Sequence, residues 1–75
     1  MKLIDLVNIL EPDVEITFEI VEETAPAGYY VKDILQKYPY AINYSVISIY
    51  PAWYTDSNEK VIPILGIEVS NKVEE

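Results

Sequence analysis

Apolar positions change period along the chain, and the changes mark the elements. Leu3, Leu6, Val7 and Leu10 fall at i, i+3, i+4 and i+7, one face of a short amphipathic helix over roughly residues 2 to 10. Asp5 lies in its first turn, where the helix dipole favours an anion, and Pro12 marks the stop. The period then becomes two. Val14, Ile16, Phe18 and Ile20 alternate with Glu15, Thr17 and Glu19, which predicts a half-buried strand with one apolar and one acidic face. Glu22 to Gly28 has the chemistry of a turn, and Tyr29-Tyr30-Val31 returns as a short partner strand that closes a hairpin. Val31, Ile34, Leu35 and Tyr38 restore helical spacing until Pro39, which disfavours helix at Tyr38. A short loop from Pro39 to Asn43 follows.

Tyr44 to Tyr50 is rich in Tyr, Val and Ile and predicts a third strand. Pro51 to Lys60 reads as a loop that holds Trp53, Tyr54 and the turn-forming Asp56-Ser57-Asn58. Val61 to Val69 is the last strand; Pro63 cannot donate to a ladder and must face an edge or a bulge. The order α-β-β-α-β-β predicts an α+β domain: a small antiparallel sheet of two hairpins with two short helices on one face. Glu15, Glu19 and part of the Tyr set would then face water on the other side. Residues 1–70 form a single domain in this reading, and 71–75 an acidic tail that frays.

Length and charge narrow the function classes. Seventy-five residues give one small domain, with most large apolar side chains needed in its core. Thirteen Asp and Glu oppose five Lys, with no Arg, for a net charge of −8. Such acidity argues against direct nucleic-acid binding, which needs a basic face. The absence of Cys and His excludes disulfides, thiolate or imidazole zinc sites and His-dependent catalysis. No apolar run is long enough for a membrane span, and the N-terminus lacks the pattern of a signal peptide, so a cytoplasmic location is expected.

Carboxylate chemistry is the remaining route to an enzyme, and the spacing opposes it. Glu15 and Glu19 share a strand face about 13 Å apart, too far for one proton or one metal. Asp56-Ser57-Asn58-Glu59-Lys60 begins like a calcium loop but has Val61 where Gly belongs and Ile67 where Glu belongs. Gly28 and Gly66 belong to no phosphate-binding loop, and no cofactor is expected. The expectation is therefore a non-enzymatic protein.

Two features suggest binding. Seven Tyr and one Trp are more ring side chains than so small a core accommodates. Tyr38 and one of Tyr44 or Tyr50 fit the core or a half-buried strand, while Tyr29, Tyr30, Trp53 and Tyr54 are candidate interface anchors. Six carboxylates lie between Glu11 and Glu23, with no Lys between Lys2 and Lys32 to offset them. Glu15, Glu19, Glu22 and Glu23 are the candidate charged face. Arg stacks on Tyr and pairs with Glu at once, so the expected partner is a basic protein surface approached in a salt-sensitive way.

The layout of Met1 to Leu10, the Glu-alternating strand, Val31-Lys32-Asp33-Ile34-Leu35, Val46-Ile47-Ser48-Ile49-Tyr50 and Ile67-Glu68-Val69 resembles small acidic proteins carried by phages and mobile elements of Gram-positive bacteria. The resemblance covers most of the chain through short apolar motifs and carries over no functional residue. Genes of that kind accompany counter-defence proteins, including anti-CRISPR proteins, several of which are acidic DNA mimics. The resemblance supports that setting and leaves the mechanism open; with the charged face and the ring anchors, the expectation is an inhibitor that engages the basic nucleic-acid-binding surface of a host protein such as a CRISPR effector nuclease. The alternative expectation is a structural or assembly module, in which the sheet edge near Pro63 or the Tyr face makes a homodimer or a phage-particle contact.

Overall fold

The helical spacing of Leu3 and Leu6 produces helix α1 (Leu3–Ile9), whose first turn is closed by the Asp5 carboxylate accepting the Lys2 backbone N–H at 3.2 Å. The alternating segment becomes β1 (Glu15–Ile20), with Ile16, Phe18 and Ile20 buried and the residues between them half-buried. Strand β2 (Ala27–Tyr30) pairs back antiparallel and runs directly into α2 (Val31–Lys37). A 3-10 turn at Pro39–Ala41 then leads to β3 (Ser45–Thr55) and β4 (Val61–Ser70). This is the α+β order expected from the pattern. The computed structural model describes residues 1–72, so Val73 to Glu75 of the expected tail lie outside the described residues. Asn71 and Lys72 are tied back: their backbone N–H groups donate to Glu22 and to the Ser70 hydroxyl at 2.9 and 3.2 Å.

The strand order is β2-β1-β4-β3. Both expected hairpins form, β1 with β2 and β3 with β4, but the sheet is mixed rather than antiparallel throughout, because β1 and β4 pair in parallel at its centre. The cause is α2. With the 3-10 turn it carries the chain across the sheet from one edge strand, β2, to the other, β3, and the two run in the same direction. A crossover helix is what such a connection requires. The returning β4 then has to lie parallel to β1.

Both helices cover the same sheet face. Leu3 and Leu6 of α1, Val31 and Ile34 of α2, Ile16, Phe18 and Ile20 of β1, and Ile67 and Val69 of β4 form one buried cluster with Tyr38 and Ala41. Tyr38 stacks on Phe18 with ring centroids 5.4 Å apart, and its hydroxyl bonds that of Tyr29 at 2.8 Å. Burial of that ring matches the expectation for Tyr38; Tyr44 and Tyr50 are both half-buried.

Pro51 to Lys60, expected as a loop, is strand in its first half. Strand β3 does not stop at Tyr50 but continues to Thr55, and only Asp56 to Lys60 turn. Asp56 builds that turn by accepting the Asn58 and Lys60 N–H groups at 2.9 and 3.0 Å. Proline is tolerated in β3 because β3 is an edge strand. The pairing gives the detail. Asp56 donates to Lys60, so in the antiparallel alternation Thr55–Val61, Trp53–Pro63 and Pro51–Leu65 are the pairs without mutual hydrogen bonds. Both prolines occupy such pairs, where the N–H would point away from the hairpin. Pro63 also lies beyond Leu65, the last β4 residue paired with β1, so it meets the edge that its missing donor demands.

The outcome is an elongated molecule, 45 × 22 × 18 Å. A helix-covered body holds the core, and the far half of the β3–β4 hairpin extends from it as a two-stranded ribbon.

Candidate protein interface

Alternation assigns the side chains that face away from the helices. On β1 these are Glu15, Thr17 and Glu19, which interleave with the buried Ile16, Phe18 and Ile20. On β4 they are Ile62, Ile64, Gly66 and Glu68, out of phase with buried Ile67 and Val69. Their β3 partners Tyr54, Ala52, Tyr50 and Ser48 share that face, and Tyr30 joins it as the register partner of Glu15. Among the described residues no helix lies over this side, so the sheet presents a face that carries both rings and carboxylates, with Tyr30 and Tyr54 beside Glu15.

Three carboxylates occupy it. Glu19 and Glu68 are register partners on the two central strands, so like charges stand side by side. Among the described residues no lysine pairs with Glu15, Glu19 or Glu68; the ion pair that does form joins Lys32 to Asp13 at 3.1 Å. Tyr54 leans on Glu15. Hydrogen bonding to that carboxylate is the main cause that raises the Tyr54 hydroxyl above its ordinary pKa, followed by desolvation and the Glu15 charge. Tyr30 lies in the same electrostatic neighbourhood, and the chain's own Lys32 ammonium sits 5.5 Å from the Tyr30 ring centroid. That distance is within cation–π reach.

Tyr50 covers Gly66. A Cβ at Gly66 would lie 2.3 Å from a Tyr50 ring carbon, so the glycine is what lets the ring lie flat across the strand. Thr17, Tyr50, Pro51, Ala52 and Trp53 line a shallow, open depression of about 440 Å³ beside it. Among the described residues no group of three or more acidic side chains is placed to hold a metal ion. Among the described residues no helix is long and apolar enough to cross a membrane.

The eight residues singled out from sequence therefore divide. Glu15, Glu19, Tyr30 and Tyr54 share the open face. Trp53 is 70% exposed and lines the depression beside Tyr50, but its parity in β3 is opposite to that of Tyr54. Tyr29 faces the helices and is occupied by its bond to Tyr38 and edge-on packing against Phe18. Glu22 and Glu23 lie in the turn after β1. Glu22 accepts from the Ser70 hydroxyl and the Asn71 N–H, which together hold its carboxyl below its ordinary 4.5. That tie is complete above 4.5 and is lost as pH falls through the lowered value. Glu23 accepts from Tyr44, whose hydroxyl is raised chiefly by this bond, and acts more weakly on Tyr40, where desolvation leads. The tyrosines at this end pack edge to face, Tyr38 on Tyr40 and Tyr40 on Tyr44.

Sequence reasoning did not place Glu68, Tyr50, Ile62 and Ile64 on the face. For Glu68 the signal was present, because it alternates with Ile67 and Val69. For Tyr50 the signal was the glycine inside β4, which marks a close approach. Compared with protein-family models, with curated proteins and with solved structures, the chain matches none.

Proposed function

We propose that this chain is a non-enzymatic binding protein that docks its open sheet face on a basic protein surface. The observation that carries the reading is the pairing of uncompensated carboxylates, Glu15, Glu19 and Glu68, with the tyrosines Tyr30 and Tyr54 on one helix-free face. A guanidinium fits such a face twice over, by pairing with a carboxylate and by stacking on a phenol ring. The net charge of −8 adds long-range attraction to a basic groove and repulsion from nucleic acid itself. A groove that ordinarily holds nucleic acid presents the required arginines. The resemblance to small acidic phage proteins supplies the biological setting: an inhibitor of a host nucleic-acid-handling protein, such as a CRISPR effector nuclease, acting in the cytoplasm.

The test is capture on the immobilised chain at about 50 and 500 mM salt, with nucleic acid as competitor. The expected partner is a basic nucleic-acid-binding protein that is retained at low salt, released at high salt and displaced by the competitor. Glu15→Lys combined with Glu19→Lys abolishes its retention. Retention that ignores salt and competitor, or that survives the double charge reversal, would overturn the reading.

A further inference from the structure

On the open face, Glu15 stands between two rings. Tyr30 of β2 is its register partner on one side, and Tyr54 of β3 reaches its carboxylate from the other, across β4. The pair with Tyr30 is of the close kind. Val31 donates to Val14, so in the antiparallel alternation Glu15 and Tyr30 exchange no backbone bonds and their side chains lie nearest each other. The Tyr30 ring already has a cation beside it, the Lys32 ammonium at 5.5 Å from its centroid. That ammonium is tied to Asp13 at 3.1 Å, and among the described residues no lysine answers the Glu15 charge. Tyr30 and Tyr54 are 47% and 39% exposed, so a partner can reach both rings. Glu19 and Glu68 provide the contrast: they are register partners of each other and Glu68 of Ser48, with no ring in that row.

We infer that Glu15, Tyr30 and Tyr54 form a binding site for one arginine side chain of the basic partner, and that the site selects arginine over lysine. The inference rests on the docking of the open face proposed above and names the side chain that the face grips. A carboxylate accepts hydrogen bonds at both of its oxygens. The Tyr54 hydroxyl takes up part of that capacity and orients the group, and the rest stays available to a guanidinium fork. The fork is planar, so while it pairs with Glu15 its faces can stack on the phenol rings at either side. An ammonium is compact, holds its water tightly and has no plane to stack. It pairs with the carboxylate and gains less from the rings. Charge thus sets the sign of the partner, and the two rings set which cation is preferred.

The probes are two capped peptides of equal length and charge, with arginine or lysine at the same positions between glycine and serine. Each is titrated into the intact chain at about 50 mM salt, with binding read from NMR shifts. The expected affinity for the arginine peptide is at least about fivefold above that for the lysine peptide, with the ring resonances of Tyr30 and Tyr54 displaced. Tyr30→Leu combined with Tyr54→Leu, its fold checked by circular dichroism, brings the arginine peptide down to the affinity of the lysine peptide. Glu19→Gln weakens both peptides by the same factor. The ring displacements are read in the native chain, so the test does not depend on the double variant folding. Equal affinities for the two peptides overturn the arginine site and leave the electrostatic docking of the face standing, which the capture experiment decides separately. Tyr30 and Tyr54 resonances that do not move, a preference that survives the loss of both rings, or binding by neither peptide also overturns the site.

Discussion

The two halves of the β3–β4 hairpin have similar composition and opposite fates. Near the body, β4 runs between β1 and β3 beneath the helices, and Ile67 and Val69 are 1% and 0% exposed. In the ribbon the same strands have neither a third strand nor a helix against them, and Val61 and Trp53 stand mostly in water. An apolar residue in the body is there to hold the fold; an apolar residue in the ribbon adds little to it and is available to a partner. The carboxylates Glu15, Glu19 and Glu68 belong to the body half, and the same parity in the ribbon carries Ala52, Tyr54, Ile62 and Ile64. The body thus holds the charged face, and the ribbon beyond it is uncharged on both faces as far as the turn at Asp56.

Mutation can break this contrast, beginning with the core. Phe18 is 0% exposed at the centre of the buried cluster, so Phe18→Ala is expected to cost about 3–5 kcal/mol. That is comparable with the whole stability of so small a domain, and the variant should be largely unfolded by circular dichroism. At the boundary between the halves, Gly66→Val drives a side chain into the space of the Tyr50 ring. The expected cost is ~1–3 kcal/mol by urea unfolding, with the Tyr50 ring resonances displaced in NMR spectra.

Tyr38 gives a smaller effect with a pH signature. Its hydroxyl is pushed up to about 12, first by the bond with Tyr29, then by burial and the neighbouring tyrosines. Folding therefore favours the neutral phenol. Its contribution is whole below the ordinary phenol value of 10.0 and is lost as pH rises through about 12. Tyr38→Phe should cost ~1 kcal/mol at neutral pH and flatten the alkaline fall in stability. The smallest effect belongs to the ribbon: Trp53→Ser should change monomer stability by no more than about 0.5 kcal/mol. A large loss there would erase the distinction between the halves.

Much of the body was legible because burial writes a period into the chain. The i, i+3, i+4 spacing located α1 and α2 to within a residue or two, and the Ile16, Phe18, Ile20 alternation located β1 and its acidic face. Periodicity carries no information on which strands become neighbours, so the parallel β1–β4 centre was not readable; it follows from α2 crossing the sheet. The ribbon is not legible in the sequence, where Pro51 to Lys60 carries the chemistry of a loop. Tolerance of Pro51 in a strand depends on β3 being an edge and on the pairing phase, both of them tertiary facts. Once that segment is a strand, the division of the site follows, because adjacent Trp53 and Tyr54 have opposite parity in β3. Glu22 and Glu23 left the acidic face for a similar reason: β1 ends at Ile20, and the turn hands both carboxylates to local donors.

The central proposal is electrostatic docking of the open face, and the most direct measurement is the salt dependence of affinity for the captured basic partner. The account predicts a plot of log K against log salt that falls steeply for the native chain and much less steeply, from a weaker starting affinity, for the Glu15→Lys, Glu19→Lys variant. Equal slopes and equal affinities for the two proteins would contradict it.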